Sequence, residues 1–366
     1  MDPLNATRAG ARWREVEALL LLDALPGVGP RAVQDLVRTA GSAAAALADL
    51  SLLEARAGQA AAEAARSGVL VAGVRSALER AERLGMRTLL HSDRAYPAGL
   101  LHLADPPPVL FLRGDAGLAA VPGIAVVGAR RATPRARRVA SSLGAAVARR
   151  GVPVVSGLAL GVDGAAHEGA LEAGGPTTAV LGCGADRAYP PVHTALFRRI
   201  LKAGLVVSEF PPGTPALPHH FPRRNRILAA LARALVVVEA GERSGALITV
   251  DHALDLGVEV WAVPGPIEDE ACTGSNALLA DGARPLVSVR GFVDAVLGPA
   301  GQEPATPAAG GPDAGVWAAL AEGDRSADEL ARATGLPARR VLARLAAMEL
   351  DGRVRRLPGL RFRRAG

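Results

Sequence analysis

The sequence is short of cysteine, lysine and aromatic residues, and each shortage closes off a class of protein. Two cysteines in 366 residues, Cys183 and Cys272, make neither a disulfide framework nor a zinc site unaided. They read as free thiols in a reducing compartment, so the chain is expected in the cytoplasm. Rings of Phe, Trp and Tyr make up only 3% of the chain, so one at a strand end stands out. Lysine occurs once, at Lys202, and every other basic residue is arginine. Codon bias alone gives such a pattern, but arginine is also the side chain that grips phosphate bidentately. No apolar run approaches the roughly 18 residues a membrane span requires. Met1 to Arg14 has neither the apolar core nor the cleavage site of a signal peptide.

Charge is present and unevenly spread. The net charge is +6. Residues 1–84 carry ten arginines against ten acids, residues 85–295 carry 21 basic against 18 acidic, and residues 313–366 carry 11 arginines against 7 acids. That balance suits a polyanionic partner. Residues 298–315, GPAGQEPATPAAGGPDAG, lack periodicity and read as a flexible linker. A softer boundary lies near Leu84. The expected domains are a helical domain over 1–84, a central domain over 85–297, the linker, and a C-terminal domain over 316–366.

The central domain alternates. Apolar, β-branched runs at 124–128, 152–156, 177–181, 205–208, 235–238 and 259–263 are separated by helical patterns, including 134–150, 163–173, 193–203, 222–233 and 244–256. Continuous apolar strands, each followed by a helix, predict a doubly wound, Rossmann-like α/β domain with a parallel sheet. Ligands bind such sheets at the carboxyl ends of the strands.

The first strand ends in Gly128-Ala129-Arg130 before a helix at Pro134. A glycine beside a helix N-terminus with unpaired N–H groups suits a phosphate, and Arg130 is placed to meet it. Seven arginines and no acid between 130 and 150 point to a polymer backbone. Arg137, Arg138, Arg149 and Arg150 read as a solvated helix face. The second strand ends in Ser156-Gly157, whose hydroxyl and amide are candidate phosphate donors. Asp163 and His167, four apart on one helix face, suggest either a metal or acid–base pair or, as favoured here, an N-cap and a packed histidine. Gly182 and Gly184 form a turn rather than a cofactor loop. The fourth strand leads through a proline-fixed loop to Phe221-Pro222-Arg223-Arg224-Asn225-Arg226. There arginine suits phosphate, Asn225 a base edge and Phe221 a base face; a core phenylalanine beside solvated arginines is the plainer alternative. Ser244-Gly245 opens a further helix with free amides.

No G-x-G-x-x-G fingerprint, GxxxxGK[ST] loop, Ser-His-Asp or Cys-His arrangement, or metal cluster is legible in the sequence. The expectation is a binding protein without cofactor or metal, not an enzyme. At the N-terminus, Leu25-Pro26-Gly27-Val28-Gly29-Pro30 joins two helical stretches as a helix-hairpin-helix (SAM-like) motif, as apt for a structural role as for a phosphate. The C-terminal segment reads as helices near 316–322, 326–334 and 337–349 and a β-hairpin, a winged-helix layout. Six arginines and no acid in 353–364 suit either a nucleic-acid wing or a docking module's solvated edge.

Taken in order, VVGARRATP, VVSGLALGVDGAAHEGAL, GCGADRAYPP, VVSEFPPG, FPRRNRI and VVVEAGERSGALIT resemble the DNA-processing protein A (DprA/Smf) family, as do AVPGP and TGSNALLADGA after them. With the flanking domains the resemblance covers about nine-tenths of the chain. It implies sequence-independent binding of single-stranded DNA, loading of the RecA recombinase, a role in natural transformation and a homodimer formed through the Rossmann-like domain. It places DNA-binding roles on Gly128, Arg130, Ser156, Gly157, Phe221, Arg224, Asn225, Arg226, Ser244 and Gly245. The sequence departs from the pattern at Leu160, His193, Ala230 and Ala232. Pro218 and His219 also stand where relatives often offer lysine to phosphate. The central domain further resembles nucleoside-monophosphate phosphoribohydrolases (LOG, lysine-decarboxylase-like), but their PGGxGTxxE motif is incomplete here. A nicotinamide-dependent oxidoreductase is disfavoured by the missing fingerprint.

Overall fold

The computed structural model describes residues 3–299, 314–350, 354–357 and 361–364. The chain divides into two compact units, Met1–Val296 and Leu297–Gly366.

The first unit opens with α1 (Pro3–Asp23), α2 (Pro30–Ala40), α3 (Ala43–Ala48), α4 (Leu50–Ala57), α5 (Gln59–Ser67) and α6 (Val71–Arg83). Proline at the first helical position starts α2 and Gly41, in the left-handed region, ends it. Leu22, Leu36 and Leu53 are fully buried between these helices. Their core runs without interruption into Phe111, Leu158 and Val206 on one face of the sheet.

The sheet has nine strands among the described residues: β1 (Arg87–Leu90), β2 (Val109–Gly114), β3 (Gly123–Val127), β4 (Val154–Ser156), β5 (Thr177–Val180), β6 (Leu205–Ser208), β7 (Ala232–Val237), β8 (Glu259–Ala262) and β9 (Arg284–Pro285). Their order is β1-β2-β6-β5-β4-β3-β7-β8-β9. Strands β3 to β8 pair in parallel, as the apolar runs predict, and the short β9 adds a further parallel strand beside β8. Strands β1 and β2, which the strand–helix pattern does not include, add an antiparallel pair on β6. These strands lie outside the strand–helix alternation, since the segment between them has only a short 3-10 turn, too little to cross back over the sheet.

Helices α7 (Pro134–Ala148), α8 (Val162–Glu172), α9 (Thr194–Ala203), α10 (His220–Ala230), α11 (Gly245–Asp255), α12 (Thr273–Ala280) and α13 (Val289–Leu297) connect or follow the strands. Helix α10 stops three residues before the end of the helical pattern, because Leu231 accepts from Gly123 and Ala232 pairs into β7. Strand order reverses at β3, flanked by β4 and β7, which puts the topological switch point at the carboxyl end of β3.

The second unit contains α14 (Ala314–Ala319), β10 (Arg325–Ser326), α15 (Ala327–Thr334), α16 (Ala338–Leu350), β11 (Val354–Leu357) and β12 (Arg361–Arg364). Its antiparallel sheet runs β10-β12-β11. Val316, Leu330, Val341, Leu345 and Phe362 form its own core. A capping box between Ser326 and Glu329 starts α15. This is a winged-helix arrangement. The expected linker falls, over 300–313, outside the described residues, as do Arg353 and the hairpin turn at 358–360. Among the described residues no helix is long and apolar enough to cross a membrane. Both cysteines are buried and free.

Candidate nucleic-acid interface

A cleft of about 670 Å³ lies at the switch point. The loop after β3 supplies Gly128, Arg130 and Arg131, the first turns of α10 supply Phe221, Arg224 and Asn225, and the approach to α11 supplies Arg243, Ser244 and Gly245. Buried Asp163 also lines it. Seven of the residues singled out from the sequence therefore meet in one place. Ser156, Gly157 and Arg226 do not line it.

The loop carrying the arginines is fixed by its backbone. A Cβ on Gly128 would stand 2.7 Å from Val162 Cγ2 and 2.8 Å from the Glu239 carbonyl, so only glycine fits. The Ala129 amide donates to the Glu239 carbonyl at 2.7 Å. At the other end, the Thr133 amide and hydroxyl donate to the Glu239 carboxylate at 2.9 and 2.6 Å. Thr133 Oγ1 in turn accepts from Ala136 and caps α7. The unpaired amides expected here are thus partly spent: a buried carboxylate already occupies that helix end. What the loop offers outward is the exposed Arg130, its guanidinium 5.2 Å from the centre of the Phe221 ring.

The run Arg223-Arg224-Asn225-Arg226 looks like one basic patch in sequence, but the helix takes it apart. At about 100° per residue, Arg224 and Arg226 point roughly 200° away from each other. Arg226 makes a bidentate pair with buried Glu209 at 2.7 and 2.9 Å and also reaches Asp105. Burial pushes its guanidinium pKa down, but Glu209 and Asp105 more than reverse this and hold it above the ordinary value. Its expected place at the DNA is corrected: its charge is spent inside the fold. Arg223 joins the same network through Glu209 and Asp23.

Arg224 lies beneath the cleft, 4% exposed. It donates to the Gly157 carbonyl at 2.9 Å and to the Val180 carbonyl. Burial lowers its pKa to about 10, with Asp163 opposing the shift; it stays cationic at neutral pH. Burial likewise raises the Asp163 carboxyl, with Arg224 and the amides of Ala159 and Gly157 pulling the other way. Asp163 is not the N-cap of α8, as expected; it lies inside the first turn and accepts from Gly157 and Ala159 of the preceding loop.

That bond explains why Gly157 offers no amide to a ligand. A Cβ there would stand 2.4 Å from Arg224 Nη2, so the glycine makes room for the guanidinium. The Ser156 hydroxyl is fully buried and donates to the Val126 carbonyl at 2.6 Å. Both expectations of direct phosphate contact at this strand end are corrected by burial and committed donors.

Asn225 donates to the Gly245 carbonyl at 3.2 Å, tying α10 to the start of α11. Ser244 caps α11 by accepting from Ala246, and the Gly245 amide, first in the helix, has no acceptor within it. His167 packs as expected: Thr177 gives its only hydrogen to Val154, so its oxygen accepts from His167 Nδ1 at 2.7 Å.

Sequence reasoning missed Arg131, Arg243, Glu239 and Tyr189. Arg131 and Arg243 were legible as neighbours of Arg130 and Ser244. Glu239 acts through remote contacts, its carbonyl on Ala129 and its carboxylate on Thr133, 106 residues away, and Tyr189 meets Phe221 only once folded, their ring centres 5.4 Å apart.

An arginine-lined cleft at the switch point of a Rossmann-like sheet, with a separate winged helix, defines a class of nucleic-acid-handling α/β proteins. Comparison with known proteins makes this specific. The chain belongs to the DNA recombination-mediator protein A family, whose model matches residues 87–296; the DprA winged helix domain matches residues 300–360. It is 44% identical over 269 residues to a putative DNA processing protein DprA of Mycobacterium tuberculosis, covering 71% of this chain and 68% of that protein. It is 41% identical over 196 residues to the DNA processing protein DprA of Streptococcus pneumoniae, covering 54% and 69%. The solved structure of that Streptococcus pneumoniae protein superposes with a TM-score of 0.67 at 31% identity, over 77% of this chain and 96% of that one. A structure of DNA processing protein A from Helicobacter pylori, described for its single-stranded DNA binding mode, superposes with a TM-score of 0.53 at 29% identity, over 58% and 95%.

Proposed function

We propose that this protein binds single-stranded DNA in the switch-point cleft without reading its sequence, and hands the coated strand to the RecA recombinase during transformation and recombination. It acts as a homodimer in the cytoplasm and as a binding protein rather than an enzyme. The observation that carries the reading is the meeting of Arg130, Arg131 and Arg243 with the Phe221 ring and the Ser244-Gly245 helix start in one cleft. Charge there suits a phosphate backbone, and a ring suits any base. The family's description as a DNA recombination mediator supports a role in recombination. Gly128, Arg130, Phe221, Arg224, Asn225, Ser244 and Gly245 form the site; Ser156, Gly157 and Arg226 hold its walls. The helical domain 1–84, the central domain 85–297 and the winged helix 316–366, joined by 298–315, divide the work, with the central domain making the main contact.

The test separates charge from stacking. Arg130→Ala should weaken binding of every oligonucleotide alike and flatten the dependence of log K on log salt by about 0.7, one phosphate on a single strand. Phe221→Leu keeps the apolar packing but loses the ring, and should cost about 1–3 kcal/mol with the salt slope unchanged. Equal affinity for single strand and duplex, or no effect of either variant, overturns the proposal. Release of adenine from AMP by the purified protein would make it an enzyme instead.

A further inference from the structure

Phe221 is partly buried. A Cβ on Gly182 would touch its ring at 3.0 Å, and the Arg130 guanidinium sits over it at 5.2 Å. The ring with area to spare is its neighbour. Tyr189 is 42% exposed, and its centre lies 5.4 Å from that of Phe221 with the planes tilted by 39°. The other tyrosine shows what a structural one looks like here: Tyr96 is 5% exposed and its hydroxyl donates to the Pro107 carbonyl at 2.8 Å. Tyr189 lies on the segment after β5, so both rings stand at strand carboxyl ends on the cleft side of the sheet.

The Tyr189 segment is held stiffly. Asp186 accepts from the Gly213 amide at 2.9 Å, Arg187 donates to the Gly213 carbonyl at 3.0 Å, and prolines 190 and 191 restrict the backbone beyond the ring. A ring fixed in this way loses little freedom when a base lies on it.

We propose that Tyr189 is a second base-stacking subsite, taking the nucleobase next to the one at Phe221 and Arg130. The inference rests on the single-stranded DNA reading of the cleft and extends it from one nucleotide to two. A stacked strand advances about 3.4 Å per nucleotide. Rings 5.4 Å apart and tilted by 39° therefore hold two bases fanned apart. Such a geometry suits a single strand and not a duplex, whose bases stay parallel.

The test is a double-mutant cycle on the full-length protein with a (dT) oligonucleotide and its abasic counterpart. Tyr189→Ala should weaken (dT) binding roughly 5- to 100-fold, leave the salt slope unchanged, and narrow the gap between (dT) and abasic strands. Tyr189→Phe should restore the parent value, since the ring and not the hydroxyl is used. In the Phe221→Leu background a loss should remain, because the second base keeps a ring of its own, although rings in contact couple and the two losses need not multiply. If Tyr189→Ala melts below the parent, Tyr189→Leu keeps the packing and must show the same loss. Parental affinity for Tyr189→Ala overturns the subsite. So does a loss that vanishes once Phe221 is replaced, which would make Tyr189 a prop for that ring. Should Arg130→Ala and Phe221→Leu also bind normally, it is the cleft itself that fails; a loss in those two alone refutes only Tyr189.

Discussion

Gly157→Ala is the sharpest perturbation, because one methyl group separates two views of that residue. A phosphate-binding amide would tolerate the change, since the N–H is retained. In the structure the new Cβ would stand 2.4 Å from Arg224 Nη2 and 2.7 Å from Cζ and Nη1. Arg224 has nowhere easy to go: it is 4% exposed and donates to the Gly157 and Val180 carbonyls. Overpacking of this kind costs about 1–3 kcal/mol, and losing one charge-assisted hydrogen bond adds about 1.5–3 kcal/mol. Gly157 does not use the left-handed region, so alanine recovers about 0.4–1 kcal/mol by stiffening the unfolded chain. The net expectation is a loss of roughly 2–5 kcal/mol, read by urea denaturation of the full-length protein. In an Arg224→Met background the same methyl has room, so the coupling in a double-mutant cycle should be about 2 kcal/mol or more. A Gly157→Ala protein within about 0.5 kcal/mol of the parent, or strict additivity with Arg224→Met, refutes the reasoning.

Two further tests probe buried charge. Glu209→Gln leaves Arg226 buried against half a partner and should cost about 3–5 kcal/mol, whereas Arg284→Ala, which breaks the exposed pair with Glu259, should cost no more than about 1 kcal/mol in the same denaturation assay; equal costs would sink the argument. Burial holds the His167 imidazole down to about 3, against 6.5 in a free chain. On acidification the unfolded chain takes up that proton first, so stability present above pH 6.5 falls towards pH 3. His167→Gln should remove about 3 kcal/mol of the loss between pH 6.5 and about 4; parallel pH profiles for parent and variant would contradict this.

The apolar runs made the parallel strands legible because strands buried on both faces have little choice of residue. The antiparallel edge escaped notice because β1 and β2 are joined without a helix of their own and so lie outside the strand–helix alternation. At the site, Gly128, Phe221 and Ser244 were legible from their strand-end positions. Arg226 was misjudged because one-dimensional clustering ignores the turn of the helix, and Glu209, its partner, sits 17 residues away. Ser156 and Gly157 looked like free donors because sequence does not show where a hydrogen bond is already spent. Tyr189 was invisible for the opposite reason: its place beside Phe221 is set by loops packing together, not by any local pattern.

The double grip of Glu239 on the loop from Ala129 to Thr133 bears on kinetics. The backbone of that loop reaches its final geometry as the protein folds, so on the proposed reading an arriving strand would meet a preformed loop carrying Arg130 and Arg131. Association should then be a single diffusive encounter whose rate rises as salt falls. On the same reading the aromatic rings, acting only after contact, should govern how long each strand stays.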